Sequence, residues 1–128
     1  GKGMCIRDGV DYTVIATGVM VNEAMIAAEA LEKEGISLRV IDMHTIKPID
    51  KDIIIKAAKE TKGIVTAEEH SIFGGLGSAV AEVVVQHCPA KMTFVGLQDT
   101  FGESGKPAEL MVKYGLTAEA ITTAVKSL

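Results

Sequence analysis

Residues Thr66–Glu82 read TAEEHSIFGGLGSAVAE, and they follow the apolar run Gly63-Ile64-Val65. The run leads into two carboxylates and a histidine (Glu68, Glu69, His70). Three glycines come next within four residues (Gly74, Gly75, Gly77), and then an apolar pattern at helical spacing. That order spells a strand, a sharp turn and a helix. The turn admits three uses: a phosphate cradle, a catalytic loop, or a corner that the chain must round.

The same grammar recurs on both sides of this stretch. Tyr12–Thr17 is β-prone and ends at Gly18. Val21, Ala24, Met25, Ala28 and Leu31 then share one helical face, and Gly35 stops the helix. Leu38–Ile41 is the next β-rich run, with Asp42 at its end. Asp50 is placed to cap a helix running to about Glu60, and Ile64–Ala67 forms a strand. Beyond the glycine turn a helix runs from about Gly77 to His87, followed by a strand over Met92–Val95. A short helix is expected to start at Ser104–Pro107 and close at Gly115, and Thr117 caps a last helix. Near the start, Asp8-Gly9 separates Met4–Arg7 from Tyr12–Thr17 and suggests a hairpin, which makes the first strand an antiparallel edge. The fold class is α/β: a three-layer domain, with a five-stranded, mostly parallel sheet, one antiparallel edge strand and helices on both faces. Residues 1–128 read as one domain.

Composition narrows the function. The chain has 128 residues, 48% of them apolar, which is enough for a core of its own. Net charge is 13 − 17 = −4, with no basic cluster, and there are only three Phe, two Tyr and no Trp. This argues against a nucleic-acid surface. No apolar run approaches the roughly 18–20 residues of a membrane span. Cys5 and Cys88 are far apart without a paired spacing, and read as reduced, buried thiols of a cytoplasmic protein. Gly1 in place of Met reads as a processed chain, a tagged one or a piece of something longer.

The motifs divide in the same spirit. Gly75-Leu76-Gly77-Ser78-Ala79-Val80 resembles a dinucleotide fingerprint with Val in the third glycine position. The backbone N–H groups of Gly77 and Ser78, at a helix N-terminus, suit an anion. Glu68 and Glu69 repel one unless they face away. The opposing reading is that the glycines serve positive φ and tight packing. Gly102–Pro107 lacks the spacing and the hydroxyl of a phosphate loop, and neither Ser78 nor Ser104 sits in a nucleophile elbow. His44, His70 and His87 are too scattered for a zinc site. His70 lies at the carboxyl end of a parallel strand, where open α/β sheets place their ligands. It reads either as a ligand-facing group or as a polar strand end that holds a loop or a partner chain.

Several stretches in this order resemble a known family. They are Ile15–Gly18, Ile41–Met43, Thr45–Asp50, Thr66–Glu82 and Asp99–Thr117 (DTFGESGKPAELMVKYGLT). Together they resemble the C-terminal domain of the transketolases, including the shorter ones whose C-terminal half is a separate subunit. Deoxyxylulose-phosphate synthases and the β-subunits of 2-oxoacid dehydrogenases carry related domains. The resemblance implies a whole enzyme that is a cytoplasmic homodimer and transfers two-carbon ketol units between sugar phosphates. It implies thiamine diphosphate and a divalent metal on upstream domains or an upstream subunit, with none expected here. No catalytic residue carries over to this chain. What remains is a candidate ligand or interface loop made of Glu68, Glu69, His70, Gly74, Gly75, Gly77 and Ser78, with Asp99. The partners expected are the upstream thiamine-binding domains, with no nucleic acid and no membrane.

Overall fold

Every strand but one in the sheet runs the same way, and helices cover both of its faces. The computed structural model describes residues 2–71, 75–97, 112 and 115–128. The elements are β1 (Gly3–Arg7), β2 (Tyr12–Ala16), α1 (Met20–Glu32), β3 (Leu38–Met43), α2 (Lys51–Glu60), β4 (Gly63–Ser71), α3 (Leu76–His87), β5 (Lys91–Leu97) and α4 (Ala118–Lys126). The strand order is β1-β3-β2-β4-β5, with β1 antiparallel to β3 and the other pairs parallel. The expected short helix near residues 104–114 lies, apart from Val112, outside the described residues. Among the described residues no helix is long and apolar enough to cross a membrane.

Alternation along each strand splits the core in two. Val14, Ala16, Val40, Val65 and Ala67 face α1 and α4, whose Met20, Ala24, Ala27, Ala28, Leu31, Ile121 and Val125 are buried against them. Ile15, Ile41, Met43 and Ile64 face α2 and α3, meeting Ile54, Ala57, Leu76, Val80 and Val84. With both faces covered, the central strands carry unbroken apolar runs, Val14–Ala16, Val40–Ile41 and Ile64–Val65, as buried parallel strands do, beside the buried polar residues Thr13, Arg39, Thr66 and Glu68. The run of alanines on α1 lets that helix lie close to the sheet.

The ends of the helices follow local chemistry. Gly35 adopts φ +80, its N–H donates to Glu32 and the Ile36 N–H reaches back to Leu31, which closes α1. Thr117 Oγ1 accepts from the Ala120 N–H at 3.3 Å and starts α4. Asp50 does two jobs. Its Oδ1 accepts from the Ile53 N–H at 3.3 Å as the α2 cap, and its Oδ2 accepts from the Gly3 N–H at 2.9 Å. Asp50→Ala removes both bonds and is expected to cost about 1–2 kcal/mol in urea unfolding. Asp50→Asn keeps the cap but turns an amide toward Gly3, so it should fall between the two. A loss for Asn equal to that for Ala would show that the cap itself contributes nothing.

Three expectations need correction. The Asp8-Gly9 connection is not a hairpin, because β1 pairs with β3 and not with β2. The loop instead crosses the start of β3. The Val10 N–H donates to Ser37 Oγ, the Ser37 N–H donates to Asp11, and Arg39 Nε donates to the Gly9 carbonyl at 3.1 Å. Strand β4 is longer than Ile64–Ala67 and runs on through the two glutamates to Ser71. Finally, Cys5 is exposed, because it lies on the edge strand β1, and Cys88, at the C-terminal cap of α3, is only half-buried.

Candidate functional site

The stretch that opens the sequence argument sits at the carboxyl end of the sheet. From Ala67 to Ser71, β4 advances four residues while β5 advances two, from Val95 to Leu97. The surplus residues lie among Glu68, Glu69 and His70. The two glutamates point to opposite faces, as successive strand residues do: Glu68 shares the face of Ile64, toward α3, and Glu69 the face of Val65 and Ala67, toward the start of α1.

Glu68 is 1% exposed and points toward α3. Its Oε1 accepts from the Leu76 N–H at 2.9 Å and its Oε2 from the Gly77 N–H at 2.8 Å. The first N–H groups of a helix have no partner within it, and the helix dipole places positive charge there. A carboxylate held on two of them forms charge-assisted bonds and needs no further counter-charge. The helix N-terminus that the sequence offers to an anion therefore already holds one, supplied by the strand.

Glu69 is half-buried on the opposite side of β4. Its Oε1 lies 2.6 Å from where a Cβ on Gly18 would be, so it sits over the turn between β2 and α1. Gly18 has φ +57, a left-handed conformation that favours glycine. The paired carboxylates thus do not face each other as an acid–base pair. One serves α3, and the other lies at the start of α1.

Gly77 is a matter of space, not of dihedral angle. A Cβ there would lie 3.0 Å from Thr66 Oγ1 and 3.1 Å from the Phe94 ring. Gly75, the residue before α3, has φ −99 and is not left-handed either. Of the two packing reasons considered from sequence, close approach applies to Gly77 and positive φ to neither glycine. Val80, in the third fingerprint position, is buried in the core between α3 and the sheet. Ser78 is half-buried in the first turn of α3. The backbone of His70 belongs to β4. Gly74 and Asp99 lie outside the described residues.

Thr66 lies beside Gly77, and its buried Oγ1 has no hydrogen-bond partner among the described residues. A hydroxyl desolvated in this way is worth less than a methyl. Thr66→Val is therefore expected to leave stability unchanged or raise it by up to about 1 kcal/mol. A loss of that size in chemical denaturation would show that the hydroxyl is bonded.

Sequence reasoning missed one pair at this end. His44 Nδ1 lies 3.2 Å from Asp42 Oδ1, so the acid at the end of this strand is held by a neighbour two residues on. The signal was the two-residue spacing at a strand end, which returns both side chains to one side. His87 is exposed at the far end of α3, away from both. Among the described residues no three His, Cys, Asp or Glu side chains are grouped to hold a metal ion.

Comparison with known proteins bears on the whole chain. The family model for the transketolase C-terminal domain matches residues 1–121. The 6-deoxy-6-sulfo-D-fructose transketolase subunit SqwH of Clostridium sp. (strain MSTE9) is 46% identical over 124 residues, covering 97% of this chain and 38% of that protein. Rattus norvegicus transketolase is 47% identical over 117 residues, covering 91% of this chain and 19% of that protein. Among solved structures, a split-gene transketolase described as an inactive β4 tetramer superposes with a TM-score of 0.95 at 48% identity. That match covers 98% of this chain and 41% of the other. The chain thus spans well under half the length of the relatives it matches. The strand order, the antiparallel edge strand and the family match along nearly the whole sequence agree, and the chain belongs to the transketolase C-terminal domain family.

Proposed function

We propose that residues 1–128 are the C-terminal, assembly-supporting domain of a cytoplasmic, homodimeric, thiamine-diphosphate-dependent transketolase. The whole enzyme transfers a two-carbon ketol unit from a ketose phosphate to an aldose phosphate. The observation that carries the reading for this chain is the Glu68 carboxylate on the Leu76 and Gly77 N–H groups. It closes the helix N-terminus at the end of the sheet where open α/β folds take phosphates.

The described residues at this end of the sheet do not suit the diphosphate of thiamine diphosphate. The amides that suit a diphosphate hold Glu68, and Asp42 and Glu69 add negative charge at the same end. The cofactor and the reacting groups therefore belong to the upstream domains or subunit in this proposal. The carboxyl-end surface around Gly18, Glu69, Gly75 and Ser78 contacts those domains or the neighbouring subunit, and His70 belongs to the same stretch. The description of the split-gene relative as an inactive β4 tetramer supports reading the present chain as inactive by itself.

Reconstitution tests this. The upstream thiamine-binding polypeptide is assayed for ketol transfer, and sized in solution, with and without this chain. Activity and assembly are expected only when the chain is added. An upstream polypeptide that is fully active and dimeric alone would overturn the proposal.

A further inference from the structure

We draw no further inference here: the strongest candidate, the pair of apolar grooves flanking β5 at the sheet edge, one lined by Val85, Met92 and Phe94 and the other by Phe94, Val95 and Ala124, is an unpartnered face, and nothing in the structure shows what covers it.

Discussion

Gly9→Ala is expected to cost about 3 kcal/mol, or roughly 10 °C in Tm, one of the two largest effects foreseen for this chain. A Cβ at this position would lie 2.2 Å from the Arg39 nitrogen and 2.3 Å from the Leu38 carbonyl carbon. Both are backbone atoms of β3, so no side-chain rotation relieves the clash. The loop would have to lift off the start of the strand. The Arg39 Nε bond to the Gly9 carbonyl would go with it, and the ion pair from Arg39 to Glu60 at 2.9 Å would be disturbed. Gly35→Ala is the control. Gly35 has φ +80 but nothing within 4 Å of the added carbon, so its cost should be only the left-handed penalty of about 1–2 kcal/mol. Thermal unfolding followed by circular dichroism ranks the two. If Gly9→Ala proves no worse than Gly35→Ala, the loop does not lie on β3 as described.

Glu68 carries the second. Glu68→Ala leaves two buried amide donors without an acceptor and is expected to cost about 3 kcal/mol. Glu68→Gln retains one acceptor oxygen but turns an NH2 group toward the other amide, and should cost about 2 kcal/mol. The pair of variants separates the cap from simple filling of space, since Gln preserves the volume. Inorganic phosphate gives an independent readout. The wild-type Tm should not respond to it beyond a general salt effect, because the α3 amides are taken. The alanine variant exposes those amides, so added phosphate should recover part of its loss. A wild-type chain that gains stability from phosphate while Glu68→Ala gains none would return the turn to the status of an anion site.

These two positions also show where sequence reading stops. Gly9 looked like a hairpin glycine because Asp-Gly between β-prone runs encodes a local turn. Its actual constraint comes from Leu38 and Arg39, about thirty residues away, and no local pattern carries that distance. Glu68 looked like a charge that would repel an anion unless it faced away. Its role depends on β4 continuing beyond Ala67, which keeps Glu68 on the face that α3 covers.

The sequence alone determined what local physics determines. The alternation of apolar runs with glycine and proline stops encoded strands and helices and their α/β order. Asp50 and Thr117 were legible as caps because a cap acts on amides three residues away. Gly35 was legible as a helix stop for the same reason. The ordered motifs marked the family, which the match over residues 1–121 bears out. Tertiary structure decided the rest. The partner of β1, the exposure of Cys5, the contact of Gly77 with Thr66 and Phe94, and the destination of the Glu68 carboxylate all depend on atoms distant in sequence. Strand pairing and close approach are set by which surfaces meet, and a single chain written in order does not record those meetings.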